Sequence, residues 1–140
     1  MLRRTLLGLT ATLLMGTAVM AEDYPTKPIT LVVAFAAGGP TDVIARIVAE
    51  DMSKTLGQQI VVENQAGAGG TTATAKVAAA PADGYTLIMG QMGTHAAAPS
   101  LYASLKSNPV DDFTPVGIAG ITPILIVAKK DFPAANLGEL

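Results

Sequence analysis

The chain of 140 residues has no cysteine and one histidine, and only 14% of its residues are charged. The missing cysteine excludes disulfides and thiolate metal sites, although it leaves the cellular compartment undecided. The lone histidine, His95, cannot form a metal cluster without carboxylates, and Asp42 and Asp83 stand at no ligand spacing. A net charge of −2 argues against binding along the phosphates of a nucleic acid. We therefore expect no metal, no cofactor and no nucleic-acid partner.

Sequence motifs for nucleotide binding and for hydrolysis are also missing. The segment 67–70 fails the dinucleotide spacing, because Thr72 occupies the place of the last glycine. No glycine precedes a lysine, so the chain has no phosphate loop of the Gly-Lys-Ser/Thr type. No Gly-x-Ser-x-Gly elbow occurs, and His95 has no serine or cysteine partner at an informative spacing. The residues therefore assign no catalytic group.

Residues 1–21 have the composition of a secretory signal peptide. Arg3 and Arg4 give a basic start, residues 6–19 form an apolar run, and a cleavage site follows at Ala21. The alternative is a membrane anchor, but the apolar run is short for a span of about 20 residues. We expect cleavage after Ala21. Without Arg3 and Arg4, seven basic residues remain against eleven acidic ones, which gives a net charge of −4.

Half of the residues are apolar, enough for one domain with a real core, and their spacing indicates strands alternating with helices. The short β-branched run 29–35 predicts a strand buried on both faces, followed by a turn at Gly38 and Gly39. Pro40 suits the first position of a helix that ends before Gly57. The helical spacing predicts one buried face, made of Ile44, Ile47, Val48, Met52 and Leu56.

Further elements follow the same alternation. Apolar spacing and breaker residues predict strands at 60–62, 85–89, 116–121 and 123–128, and helices at 72–80 and from residue 136 onward. Thr71 or Thr72 is expected to cap the second helix. A polar loop at 90–95 precedes a short helix through Tyr102, and residues 104–114 are predicted to form a surface loop.

Strands that alternate with helices imply a parallel sheet with helices on its faces. Ligands of such sheets bind outside the carboxyl ends of the strands. Glycine-rich loops follow the first three predicted strands, at 38–39, 64–70 and 90–95. We therefore expect the three loops to gather at one edge, where backbone N–H groups and the N-terminus of the first helix suit a negatively charged group. The alternative for the first loop is an ordinary strand-to-helix turn without a ligand.

Two polar residues of these loops have two interpretations each. Asp42 lies in the first helical turn, where its charge suits the helix dipole. It either stabilises that turn or accepts a hydrogen bond from a ligand amine, a ligand hydroxyl or a bridging water. His95 either makes one structural hydrogen bond or contacts a ligand at the edge of the sheet.

Seven short motifs stand in order along the chain: YP-x-KPI at 24–29, VVAFAAGGPTD at 32–42, VENQAGAGG at 62–70, DGYTL at 83–87, GTHA at 93–96, PSLY at 99–102 and DF-x-PV at 112–116. Together they resemble the Bug-type solute-binding proteins of tripartite tricarboxylate transporters, over essentially all of residues 24–140. Ala36-Ala37 departs from the family's frequent proline. Gln65-Ala66 replaces a frequent Arg-Pro, which removes a cation near the rim of the pocket.

The resemblance implies an α/β fold, a type II periplasmic-binding-protein-like lobe with a mostly parallel sheet and flanking helices. It divides the chain into a signal peptide at 1–21, a first lobe at 22–125 and the incomplete start of a crossover or second lobe at 126–140, the second lobe being largely missing. It also implies a periplasmic protein, not an enzyme, that closes on a small carboxylate and delivers it to membrane permease subunits.

In this family the first two loops grip a ligand carboxylate largely through main-chain groups and water. Carried over by position, the resemblance implies these ligand-binding residues: Ala37, Gly38, Gly39, Thr41, Asp42, Gly67, Ala68, Gly69, Thr94 and His95. Family members are longer than this chain, so we expect weak or no ligand binding by residues 22–140 alone. The alternatives are a truncated remnant without ligand binding and an α/β enzyme whose catalytic residues lie beyond Leu140.

Overall fold

Three parallel strands form the centre of the computed structural model, which describes residues 23–123, 125–134 and 136–139. The strands β1 (Ile29–Val33), β2 (Ile60–Asn64) and β3 (Thr86–Ile88) pair in the order β2-β1-β3. Helix α1 (Pro40–Leu56) connects β1 to β2, and α2 (Thr71–Ala78) connects β2 to β3. The predicted parallel α/β architecture is confirmed. The predicted signal peptide lies outside the described residues.

The central strand β1 is buried on both faces, as its apolar sequence predicts. Successive side chains of a strand point to opposite faces. Ile29, Leu31 and Val33 therefore pack in one core cluster with α1, whereas Val32 packs in a second cluster against α2. Burying each large aliphatic side chain contributes about 1.5–3 kcal/mol, so the sheet is held mainly through its middle strand.

Helix α1 begins and ends where the sequence predicts. Pro40 occupies the first helical turn, where a missing N–H group breaks no helical hydrogen bond. Gly57 ends the helix in the left-handed conformation with a φ of 67°, and its N–H group donates to the carbonyl of Ser53 at 3.1 Å. These two residues set the length of the helix that carries the first loop.

The predicted buried face of α1 is partly wrong. Ile47 is 64% exposed, and the buried residues of the helix are Asp42, Ala45 and Ala49. The physical reason is the size of alanine, since its small side chain lets the helix axis come close to the sheet. The larger residues then lie beside the line of closest contact rather than on it, with Ile44, Val48, Met52 and Leu56 partly buried.

The capping prediction for α2 is also wrong. The residue before the helix is Gly70, which has no side chain to cap it, and Thr71 is already helical. The hydroxyl of Thr71 donates instead to the carbonyl of Ala68 at 2.9 Å. The polar loop after β3 is shorter than predicted, because a π-helix (Met92–Ala97) begins within it and leads into α3 (Ala98–Leu101).

The apolar segments after residue 115 form no strand in the described part of the chain, so the strands predicted at 116–121 and 123–128 are wrong for their described residues. Val116, Ile118 and Ile121 are more than four-fifths exposed. Composition favours a strand only where a neighbour supplies the hydrogen-bond ladder, and these residues have none. The predicted surface loop at 104–114 has no helix or strand, and a short 3₁₀ helix (Leu137–Glu139) lies where a helix was predicted to begin.

A pair of alanine substitutions tests which isoleucines form the core. Ile29→Ala should lower the free energy of unfolding by about 3 kcal/mol, because Ile29 is 1% exposed and the change leaves a cavity. Ile47→Ala should change it by less than about 0.5 kcal/mol, because its side chain is already in water. Urea denaturation measures both. Equal losses would contradict the assigned faces of the sheet and of α1.

Candidate functional site

The second and third glycine-rich loops meet at Gly70, beside the end of β1 at the carboxyl edge of the sheet. A Cβ atom built on Gly70 would lie 2.6 Å from Cγ2 of Thr94 in the third loop and 3.1 Å from Cβ of Ala34 after β1. The φ of Gly70 is 88°, a conformation that residues with a side chain rarely adopt. Only glycine fits this position, so it brings the second and third loops together beside the end of β1.

The first loop leads from β1 into α1 and presents unused backbone donors. Gly38 turns the chain with a φ of 82°, and the exposed Ala37 precedes it. The first N–H groups of a helix have no partner within the helix. Within the described residues, the N–H groups of Gly39, Thr41 and Asp42 have no hydrogen-bond acceptor. The N-terminus of α1 therefore carries free donors and the positive end of the helix dipole.

The second loop has four successive residues with positive φ: Gly67 at 141°, Ala68 at 46°, Gly69 at 62° and Gly70 at 88°. Ala68 is the only described residue other than glycine with a positive φ, which costs about 1–2 kcal/mol relative to an ordinary backbone. The hydroxyl of Tyr102 lies directly over Gly69. In the described part of the chain no acceptor lies within reach of the N–H groups of Gly67, Ala68 and Gly69.

In the third loop, Thr94 and His95 make contacts within the protein. Thr94 is buried, and its Oγ1 accepts from the N–H group of Gln91 and donates to the carbonyl of the same residue, both at 3.2 Å. Nδ1 of His95 lies 2.8 Å from Oγ1 of Thr94, and its ring packs edge-on against Phe113 with centroids 5.0 Å apart. Burial lowers the pKa of His95, which favours the uncharged imidazole. The ligand roles of both residues stay predictions.

The carboxylate of Asp42 is buried and accepts three hydrogen bonds from the protein itself. Oδ2 accepts from the N–H group of Gly38 at 2.8 Å and from Nε of Arg46 at 3.0 Å. Oδ1 accepts from Nδ2 of Asn64 at 2.9 Å and contacts Nη2 of Arg46 at 3.0 Å. Nδ2 of Asn64 also donates to the carbonyl of Phe35 at 3.2 Å. Asp42 thus joins the first loop to α1 and to the end of β2.

These contacts hold the pKa of Asp42 well below its usual range. The hydrogen bond from Arg46 lowers the pKa most, those from Gly38 and Asn64 lower it further, and burial opposes them, so the pKa falls from 3.8 to about 2. The carboxylate is therefore ionised at every physiological pH. Its predicted contact with a ligand remains a prediction, because all of its observed partners belong to the protein.

Asn64 and Arg46 are the residues that sequence reasoning missed. Arg46 stands four residues after Asp42 on one helix, a spacing that brings opposite charges together and could have indicated the pair. Nη2 of Arg46 also donates to Oδ1 of Asn64 at 3.0 Å. No local pattern indicates Asn64, because it reaches Asp42 only after β2 pairs with β1.

A cleft of about 630 Å³ opens between the first loop, the third loop and the segment 117–122. Of the predicted ligand-binding residues, Gly39 and Thr41 line it, together with Gly90 and Gln91 of the third loop. The second loop, Thr94 and His95 lie outside its lining. The described residues include no group of three His, Cys, Asp or Glu side chains placed to hold a metal ion. None of the helices described is long and apolar enough to cross a bilayer.

Known proteins match the chain along most of its length. The sequence profile of the tripartite tricarboxylate transporter family receptor, TctC, matches residues 44–140. The UPF0065 protein in the TAR-I ttuE-ttuC' intergenic region of Agrobacterium vitis is 46% identical over 132 residues, which are 94% of this chain and 38% of that protein. Protein BugT of Bordetella pertussis is 38% identical over 87% of this chain and 38% of BugT. The chain thus spans about two-fifths of the length of these curated relatives.

Several solved structures are similar as well. MatC from Rhodopseudomonas palustris, solved with bound malate, is 50% identical with a TM-score of 0.74, and the match covers 83% of this chain and 40% of MatC. A second R. palustris protein, solved with adipate, is 45% identical with a TM-score of 0.65 over 66% of this chain and 31% of that one. The periplasmic binding protein BugD is 50% identical with a TM-score of 0.64, and the match covers 67% of this chain and 31% of BugD.

The chain belongs to the family of tripartite tricarboxylate transporter receptors. Its resemblance to Bug-type binding proteins is confirmed, and so is the periplasmic-binding-protein-like α/β fold. Proteins of this family bind substrates and are not enzymes, so the enzyme alternative has no support.

The strained backbone of Ala68 gives a testable prediction. Ala68→Gly should raise the free energy of unfolding by about 1 kcal/mol, because glycine adopts a positive φ without steric cost. Ala66→Gly, at an equally exposed position of the same loop, should lower it by about 0.5–1 kcal/mol through chain entropy. Urea denaturation distinguishes the two. A loss of stability in Ala68→Gly would contradict the described loop conformation.

The low pKa of Asp42 predicts a pH dependence of stability. The unfolded chain binds a proton near pH 4 and the folded chain only near pH 2, so this stabilisation is complete above pH 4 and is lost as the pH falls towards 2. Melting temperatures of Asp42→Asn should be lower than those of the wild type at pH 7 and fall less steeply between pH 4 and 2. Asp51→Asn, an exposed site on α1, should keep the wild-type slope. A wild-type slope in Asp42→Asn would contradict the network.

Proposed function

We propose that the chain is part of the extracytoplasmic solute-binding component of a tripartite tricarboxylate transport system, which captures a small carboxylate with its glycine-rich loops. The observation that carries the proposal is the set of unused backbone N–H groups in the first and second loops. Both loops lie at the carboxyl edge of one parallel sheet, where ligands of such folds bind.

The donors suit an anion that has several oxygen atoms. Gly39 and Thr41 present N–H groups at the positive end of α1, and Gly67, Ala68 and Gly69 present theirs from a loop of successive residues with positive φ. Hydrogen bonds to a charged acceptor contribute about 1.5–3 kcal/mol each. Malate and adipate, the ligands in the two R. palustris structures, are small carboxylates, which favours a carboxylate over a phosphate.

The predicted site residues then divide into two groups. Residues of the first two loops donate from the backbone to the ligand, and Ala37 and Gly38 shape the turn that aims those donors. Thr94 packs against Gly70 and His95 against Gly90, and both contact the ligand only at its margin. Asp42 acts chiefly by positioning the first loop, because both of its oxygen atoms have protein partners.

The proposed location is the periplasm, and the proposed partners are the membrane permease subunits that receive the ligand. Two observations support this part. Residues 1–21 have a signal-peptide composition, and BugD, a 50% identical relative, is a periplasmic binding protein. In the complete protein we expect the glycine loops to form one wall of a pocket that a second lobe closes by hinge motion.

Binding is tested best in the protein produced from the complete gene. Its melting temperature should rise with malate, adipate or citrate in a concentration-dependent way, because a ligand stabilises the folded state by mass action. The corresponding neutral diamides should have no such effect. Residues 22–140 alone should bind at least tenfold more weakly, since they present one wall of the pocket. No stabilisation of the complete protein by any carboxylate would overturn the proposal and leave the remnant alternative.

Gly39 offers a direct test of the backbone donors. Gly39→Pro removes one N–H group but suits the observed φ of −75°, so carboxylate affinity should fall about tenfold or more with the fold retained. Gly39→Ala keeps the N–H group, and its Cβ would lie 3.5 Å from the carbonyl oxygen of Ala36, an ordinary contact. That control should bind within about threefold of the wild type by calorimetry. Equal affinities in both variants would exclude the Gly39 donor.

A further inference from the structure

A buried negative charge lies directly beneath the proposed anion site. The carboxylate of Asp42 is 4% exposed and accepts a hydrogen bond from the N–H group of Gly38, next to the free donor of Gly39. An ionised group at this position attracts the helix dipole but repels a ligand carboxylate held on the same helical turn. The site therefore needs a compensating positive charge.

Arg46 supplies that charge from the next turn of α1. Its Nε atom donates to Oδ2 of Asp42 at 3.0 Å, and its Nη2 atom lies 3.0 Å from Oδ1, so the guanidinium contacts both oxygens of the carboxylate. Nη2 also donates to Oδ1 of Asn64, so a third contact fixes the orientation of the guanidinium. The guanidinium is half exposed, which keeps the cost of removing it from water small.

We propose that Arg46 is a specificity-determining residue. It neutralises the buried carboxylate of Asp42 and thereby allows the N–H groups of the first loop to bind an anionic ligand. The inference rests on the proposed function. It predicts that the pair Asp42–Arg46 acts on ligand affinity through its net charge, and that Asn64 positions both members through its contacts with Asp42, Arg46 and the carbonyl of Phe35.

The chain contains a matched control on the same helix. Lys54 and Glu50 form an ion pair at the same four-residue spacing, with Nζ 2.7 Å from Oε1, but both side chains are about 70% exposed. This pair lies toward the other end of α1, away from the glycine loops. Lys54→Gln and Arg46→Gln therefore change the net charge of the protein equally, and only the second exposes the proposed ligand to an uncompensated carboxylate.

The experiment measures the affinities of malate and adipate by calorimetry in the protein from the complete gene. Arg46→Gln should weaken carboxylate binding by about tenfold or more, because the uncompensated charge of Asp42 beside the Gly39 donor then repels the ligand anion. Lys54→Gln should change it by less than about twofold, since exposed pairs are screened. Arg46→Lys keeps the positive charge but lacks the planar guanidinium. It should bind carboxylates with most of the wild-type affinity.

One further variant separates charge from structure. Asp42→Asn combined with Arg46→Gln removes both charges, so affinity should be higher than in Arg46→Gln alone, even though the melting temperature does not recover. A double variant as weak as Arg46→Gln would overturn the inference in favour of a structural role.

The remaining outcomes distinguish this inference from the proposed function. Carboxylate binding by the wild type, with equal affinities in Arg46→Gln and Lys54→Gln, would overturn the inference alone. Absence of carboxylate binding by the wild type would overturn the proposed function and this inference with it.

Discussion

The buried carboxylate of Asp42 is the constraint on which the arrangement of the loops depends. It belongs to α1, yet its partners come from the turn after β1, from the next turn of α1 and from the end of β2. Because Asn64 extends the same network to the carbonyl of Phe35, the position of β2 sets the position of the first loop. A charge that would cost free energy in isolation is thereby used to hold three segments together at the edge where the ligand is proposed to bind.

Small residues complete this edge, because the loops approach one another too closely for larger ones. Gly70 leaves no room for a Cβ beside Thr94 and Ala34, and Ala45 and Ala49 bring α1 close to the sheet. The backbone is consequently the main surface of the site. Free N–H groups rather than long charged side chains carry the proposed recognition, which agrees with the low charge content of the sequence.

Much of the architecture could be predicted from local signals. The strand at 29–33, the helix start at Pro40 and the helix end at Gly57 each follow from the backbone preferences of the residues concerned. The convergence of the loops follows from the strand–helix alternation. The errors arose where contacts between segments decide the outcome: Ile47 is exposed because the alanine side of α1 approaches the sheet, and the described apolar residues after 115 pair with no strand. The order of the short motifs along the chain predicts the family from sequence alone.

The sequence by itself determined the parallel α/β class, the three glycine loops and the family, because hydrophobic period, glycine placement and motif order are properties of neighbouring residues. Only the tertiary structure decided that Asn64 donates to the carboxylate of Asp42 and so belongs to the site, and that Ala68 takes a left-handed conformation. Each of these depends on contacts between segments far apart in the chain or on a backbone angle that the neighbouring loops impose. The conformational preferences of neighbouring residues specify neither the long-range contacts nor that backbone angle, since both form only after the strands have paired.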